Sequence, residues 1–376
     1  MAVIHPSATL STNELLSLLD DSPDVFLLDV REPDEFATWR IPRTVNIPLG
    51  EIEQRLSEVP RDAIVVTVCA KGARAERASE ILRHLNYRSV VLEGGMEEWG
   101  HTYEVVNTNI GAATVSQIRR RGKGCLSYVV GSSRRLSTGA TGNAVVIDPS
   151  VDVDVYLSVA KQHDYVITHV FDTHLHADHL SGARELARRT GAELVLNAAD
   201  TFHYDFRPLT PDFRLALDKG RDVELVALST PGHTEGSTAF LLNQGALFSG
   251  DTLFLESVGR PDLADQAEPF ARTLFQTLHH GVLKLSDDVK IFPAHYGEAV
   301  DVHYGELITK TLGELRTSLT SLSMGEEEFV AWAVSHVKER PPNYANIVLF
   351  NSGESKLTLE EVTAMELGPN RCAVAS

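Results

Sequence analysis

Cysteine is scarce in this chain. Cys69, Cys125 and Cys372 are the only three in 376 residues, an odd set that does not read as a disulfide framework. A reducing cytoplasm fits that usage and would keep a catalytic thiol free. The start, Met1 to Asp20, lacks a basic leader and a long apolar core, so no secretion signal is expected. No run approaches the about 20 apolar residues that span a membrane. Positive charge is also in deficit: 34 Lys+Arg face 52 Asp+Glu, a formal net charge of −18. That field repels a phosphate backbone and argues against general nucleic-acid binding. Repeats and low-complexity tracts are absent.

What is there is enough for two or three domains, at roughly 100–200 residues each. Up to about Tyr103, strands alternate with helices. Val25 to Leu28 is a buried-strand run ending at Asp29, and Ile64 to Val68 is another ending at Cys69. Ala75, Ala78, Leu82 and Leu85 then recur at helical spacing. Ser89 to Leu92 is a third strand, followed by Gly94-Gly95. This alternation predicts an α/β domain, a parallel sheet with helices on both faces, over residues 1–103. Residues 104–113 are polar and rich in small side chains, and are expected to form a linker. Residues 114–376 form the second region. It opens with a predicted hairpin, Val115–Arg120 and Cys125–Val130, whose basic turn (Arg121 to Gly124) reads as solvated. Short apolar strands and His- or Asp-bearing loops follow. Ala183–Arg189 and Ala271–His279 read as helices. The stretch from Glu354 onward gives no clear pattern.

Two constellations carry chemistry. The first is Cys69-Ala70-Lys71-Gly72-Ala73-Arg74, opening a helix after a buried strand. Backbone N–H groups and a helix N-terminus can converge there, and Lys71 and Arg74 add charge. Together they favour a thiolate nucleophile and a cradle for an anion such as sulfite or thiosulfate. Standing alone, a cysteine at a strand end is as readily an inert buried residue. The second is Thr173-His174-Leu175-His176-Ala177-Asp178-His179, joined by His233 after Pro231-Gly232, Asp251 after Ser249-Gly250, and His295 after Pro293-Ala294. Sharp loops at strand ends let such distant ligands converge on one metal. The other ten histidines are read as surface or satisfied core residues.

Three elements in order resemble a rhodanese domain: Asp29-Val30-Arg31-Glu32, the Cys69 loop, and Gly94-Gly95-Met96-Glu97-Glu98-Trp99. The resemblance covers roughly residues 8–103 and implies that Cys69 carries sulfane sulfur as a persulfide. Asp29 and Arg31 are expected to form a structural ion pair. The His/Asp series resembles the metallo-β-lactamase fold superfamily over about residues 114–300, which implies an αββα sandwich of two mixed sheets. That superfamily supports two chemistries. In a glyoxalase II-like dizinc hydrolase of thioesters, His174, His176 and His233 would hold one ion. Asp178, His179 and His295 would hold the other, with Asp251 bridging. In a persulfide dioxygenase, one Fe(II) would be held by His174, His233 and Asp251, with His176, Asp178, His179 and His295 orienting ligands. The stretches Gly250 to Phe254, Val258 to Leu263 and Cys125 to Gly131 are similar to the dioxygenase branch. There the resemblance implies substrate contacts from Arg260, a carboxylate binder, and Tyr296, and makes Cys125 a strand residue. The alternative role for Arg260 is an ion pair with Asp262.

The expected function is oxidation of a low-molecular-weight thiol persulfide, such as that of glutathione, by O2 to sulfite and thiol. Sulfur transfer through Cys69 to or from sulfite and thiosulfate would be coupled to it. The cofactor is then one Fe(II) per chain, with two Zn as the alternative. A third reading is a sulfide or persulfide sensor or sulfur carrier. The partners are small molecules, with no nucleic acid and no membrane. A homo-oligomer is compatible with the sequence.

Overall fold

The computed structural model describes residues 9–21, 24–132, 142–263, 266–297, 300, 302–337, 340 and 343–366. Cys372 lies outside them.

The first domain is built on a five-stranded sheet, all of whose pairings are parallel. Its order is Thr9–Leu10, Arg88–Leu92, Ile64–Val68, Val25–Asp29, Val45–Asn46. The runs VFLLD and IVVTV are almost continuously apolar because both faces are covered, as parallel sheets require. Leu28, Val65, Ala78 and Leu82 pack on one face. Leu15, Leu27, Val66 and Trp99 pack on the other. Cys69 therefore leaves the carboxyl end of the central strand, where open α/β sheets place their ligands.

The second domain is a sandwich. A seven-stranded sheet runs Arg207–Pro208, Glu193–Leu196, Tyr165–Phe171, Gly142–Ile147, Cys125–Ser132, Ala113–Arg120, Tyr103–Ile110. A six-stranded sheet runs Arg214–Ala216, Glu224–Ser229, Thr238–Leu242, Ala246–Gly250, Lys290–Pro293, Lys310–Thr311. Both mix parallel and antiparallel pairs. One large core lies between them, with Tyr128, Phe171, Phe240, Phe248 and Phe292 at its centre. Helices Asp154–Gln162 and Ala183–Thr190 cover the outer face of the seven-stranded sheet through Tyr156, Val159 and Leu186. No helix among the described residues is long and apolar enough to cross a membrane.

Two sequence expectations are corrected. Residues 104–113 are not a linker. Tyr103–Ile110 pairs along its whole length with Ala113–Arg120, as the edge strand of the seven-stranded sheet. Its polar look misled because Glu104 is buried against the guanidinium groups of Arg119 and Arg121. The hairpin Ala113–Arg120/Cys125–Ser132 is present, but its turn is not solvated. Lys123 is 3% exposed and donates to the Met365 carbonyl at 3.1 Å. The turn is wedged against the first domain instead. Trp39 Nε1 donates to the Gly122 carbonyl at 2.7 Å, and Arg120 Nε to the Gly100 carbonyl at 2.5 Å. A Cβ on Gly122 would sit 2.8 Å from the Trp99 carbonyl oxygen, so only glycine lets the two backbones approach.

Candidate active sites

The Cys69 loop is held by the turn that follows the strand Arg88–Leu92. Met96 N–H donates to the Cys69 carbonyl at 2.8 Å and Glu97 N–H to the Ala70 carbonyl at 3.1 Å. Gly95 has φ 59°, and a Cβ there would lie 2.2 Å from the Cys69 carbonyl oxygen. Any other residue would push the loop away. Cys69 is 2% exposed, and Gly72 N–H donates to its Sγ at 3.1 Å. Gly72 caps the helix Ala73–His84, so helix N-terminus and thiol share one loop. The two cations are each engaged by a carboxylate. Lys71, exposed, pairs with Glu97 at 3.1 Å. Arg74 makes two hydrogen bonds to Glu35, at 2.6 and 2.8 Å, and these hold Glu35 down to about 2. Gly72 N–H is the backbone donor directed at the sulfur. Asp29 and Arg31 form the buried ion pair expected of them, three contacts at 2.6–3.0 Å.

The His/Asp residues gather where the two sheets' strand ends meet. The loop Thr173 to His179 follows the strand Tyr165–Phe171. His233 follows Glu224–Ser229, Asp251 directly follows Ala246–Gly250, and His295 follows Lys290–Pro293. All seven candidates are at most 5% exposed. Six of them fall into two sets, and His176 stands in a third with Asp148 and Asp172. Ligand atoms of His174, His233 and Asp251 lie within 4.8 Å of one another, and so do those of Asp178, His179, His295 and Cys125. Asp251 touches both: its Oδ2 is 3.4 Å from His233 Nε2 and 3.7 Å from His174 Nε2, while its Oδ1 is 2.7 Å from His295 Nδ1.

Unsatisfied atoms point to what is bound. His174 Nε2, His233 Nε2, Asp251 Oδ2 and His176 Nδ1 are buried without a hydrogen-bond partner, and Asp178 Oδ2 and His295 Nε2 face each other at 2.7 Å. Several orphaned polar atoms in one small volume would be costly. A divalent cation removes the cost, and nitrogen plus carboxylate donors suit Zn(II) or Fe(II).

Neighbouring groups fix the donors' orientation. His233 Nδ1 shares a hydrogen bond of 2.9 Å with the Arg260 carbonyl, which leaves Nε2 facing Asp251. Asp148, missed in the sequence, holds two ligands at once. Its Oδ1 contacts His176 Nε2 at 3.0 Å. Its Oδ2 accepts from Thr173 Oγ1, itself 3.0 Å from His174 Nδ1. The usable signal was an aspartate directly after a buried strand, as at Asp251. Burial opposes charge on His176, but the Asp148 carboxylate outweighs it and raises its pKa to about 9. Burial and the nearby His176 push His179 down to about 4, and burial raises Asp172 to about 7. Asp148→Asn should weaken metal binding by about 10–100-fold, the usual range for an orienting carboxylate. Competition with a chromophoric chelator measures it, and unchanged affinity would remove Asp148 from the centre.

Comparison with known proteins agrees with this division. Residues 11–102 match the rhodanese-like domain family, and residues 120–300 match the metallo-beta-lactamase superfamily. The chain is a rhodanese-like domain followed by a metallo-beta-lactamase domain. Among similar sequences is the hydroxyacylglutathione hydrolase of Rhodospirillum rubrum, 38% identical over 124 residues, 32% of this chain and 47% of that one. The chain spans about half the length of the curated relatives it matches. A metallo-beta-lactamase structure from Staphylococcus aureus is 27% identical with a TM-score of 0.58, covering 66% of this chain and 74% of that one. ETHE1 from Myxococcus xanthus shares the fold at 24% identity and a TM-score of 0.55, covering 64% of this chain and 99% of that one. The metallo-beta-lactamase fold binds metal, and these buried His/Asp groups are where this domain offers ligands.

Two expected substrate residues are placed otherwise. The Arg260 guanidinium is 2% exposed and grips Asp262 through Nε at 2.7 Å and Nη2 at 2.9 Å. Its fork is thus in the ion pair rather than open to a substrate carboxylate, and its carbonyl serves His233. Tyr296 packs against the main core, with its N–H on the Gly124 carbonyl at 3.1 Å. Cys125 is a strand residue as expected, but its thiol belongs to the second ligand set, which strand alternation alone did not reveal.

Proposed function

We propose that the metallo-beta-lactamase domain is a persulfide dioxygenase and the rhodanese-like domain its sulfurtransferase partner. The observation that carries this reading is the trio His174, His233 and Asp251, two imidazoles and one carboxylate with unsatisfied atoms turned on one point. An Fe(II) ion held there would keep positions open for the persulfide sulfur and for O2. The balanced reaction is RSSH + O2 + H2O → RSH + SO3²⁻ + 2H⁺. Burial of the trio keeps bulk water from the reacting sulfur, and Asp148 and the Arg260 carbonyl hold the imidazoles in place. Cys69 exchanges the outer sulfur: Cys69–S–S⁻ plus sulfite gives thiosulfate and Cys69–S⁻. The charge-neutralised loop cradles the anion with backbone N–H groups.

A second reading has its own observation. Asp178, His179 and His295 form the other set, with Asp251 between the two. That arrangement also suits a two-metal thioester hydrolase, and several similar sequences are named hydroxyacylglutathione hydrolases. One experiment separates them. The natively purified protein is assayed for metal, for O2 uptake with glutathione persulfide and for hydrolysis of S-lactoylglutathione. The dioxygenase reading expects one iron per chain and O2 uptake matched by sulfite. Two zincs with thioester hydrolysis and no O2 uptake would overturn it.

A further inference from the structure

The chain beyond residue 300 lies outside the stretch that matches the metallo-beta-lactamase superfamily. Two of its side chains nevertheless reach the loop that carries His176, Asp178 and His179. Asn351, 5% exposed, stands in the helix Tyr344–Ser352. Its Nδ2 donates to the His176 carbonyl at 2.9 Å and the His179 carbonyl at 2.8 Å. Its Oδ1 accepts from Ser181 N–H at 2.8 Å. Glu366, fully buried, ends the helix Leu359–Glu366. Its Oε1 accepts from Leu180 N–H at 2.6 Å, and its Oε2 pairs with Arg120.

Four backbone groups between His176 and Ser181 are therefore satisfied by two side chains from the far end of the chain. A loop without secondary structure has no ladder to supply those partners. An asparagine amide can serve two carbonyls and one N–H together, which no apolar residue of its size can do. A buried carboxylate must be paired, and Arg120 pairs it while donating to Gly100 of the rhodanese-like domain. The contacts thus run from that domain through Arg120 and Glu366 to the residue following His179.

We propose that Asn351 and Glu366 are positioning residues for the metal loop, and that this carboxy-terminal segment keeps the metal in place. The proposal rests on the reading that the His/Asp sets bind metal. Both residues act through the loop backbone and touch no ligand atom. Weakening either lets the backbone from His176 to Ser181 shift, so His176, Asp178 and His179 lose their placement in the ligand groups, and metal leaves faster.

The test uses the full chain loaded with Co(II), whose visible absorption reports ligand geometry. Two isosteric variants are compared with wild type. Asn351→Asp keeps the acceptor for Ser181 but loses the donor to two carbonyls. Glu366→Gln keeps an oxygen for Leu180 but loses the charge that pairs with Arg120. Phe329→Leu, altering a core ring packed on Phe275 and Trp332, controls for lost stability alone. Metal release to excess chelator should be about tenfold faster in Asn351→Asp and Glu366→Gln, with altered Co(II) bands. Phe329→Leu should keep wild-type bands and release. Glu366→Asp, which keeps the charge, should restore part of the retention lost in Glu366→Gln. Wild-type release and bands in both isosteric variants would overturn the proposal and leave the metal centre standing. Failure of wild type to take up Co(II) would instead overturn the metal reading itself. If Asn351→Asp does not fold, Glu366→Gln and Glu366→Asp decide the matter.

Discussion

His233→Ala should leave a folded protein whose metal-dependent activity falls by at least about 10³-fold. His233 is 0% exposed, its Nε2 has no hydrogen-bond partner, and it lies 3.4 Å from Asp251 Oδ2. Its hydrogen bond to the protein runs from Nδ1 to the Arg260 carbonyl, on the other side of the ring. The side chain is therefore placed to hold something other than protein. Losing one of three donors removes the Lewis-acid contribution, worth several kcal/mol, and about 4 kcal/mol corresponds to that factor. The fold tolerates the change because the ring belongs to the ligand set and not to the apolar core. Metal content and turnover, measured beside a thermal melt, check it. A variant that retains stoichiometric metal and normal turnover would exclude His233 from the centre.

Cys69→Ser should abolish thiosulfate-linked sulfur transfer while leaving the metal-centre reaction within about twofold of wild type. The hydroxyl fits where the thiol was and can still accept from Gly72 N–H. It cannot carry sulfane sulfur, because that chemistry needs a sulfur nucleophile. The loop itself is held by Met96, Glu97 and Gly95 backbone contacts, which the substitution does not touch. Thiosulfate:cyanide sulfur transfer and the metal-centre assay are run on the same preparation. Retained transfer would assign the sulfur to another residue. A parallel loss of metal-centre turnover would show that the two reactions share a step.

Most of the architecture was legible because buried strands leave strong traces. Val25 to Leu28 and Ile64 to Val68 are almost continuously apolar, since both faces of their sheet are covered. The seven His and Asp residues stood out because each lies within two residues of a glycine, a proline or another candidate ligand. Three features were hidden for one shared reason. Tyr103–Ile110, the turn Arg121 to Gly124 and Glu366 bury polar or charged groups whose partners are distant in sequence. Local pattern reads a charged residue as solvated, and only the fold supplies the partner. Arg260 illustrates the converse. The fork that suits a substrate carboxylate also suits Asp262, two residues on, and the near carboxylate holds it.

The edge strand that replaced the expected linker changes how the two domains communicate. Helix Gly95–Gly100 passes to strand Tyr103–Ile110 through only His101 and Thr102. A flexible tether would let one site sample a cloud of positions around the other, with an effective concentration set by its length. Here there is no slack to sample. For any compound that both sites handle, the concentration one site presents to the other would then be set by the domain contacts, Trp39 to Gly122 and Arg120 to Gly100, and not by a tether. Inserting residues between Gly100 and Tyr103 would turn that constant into a variable.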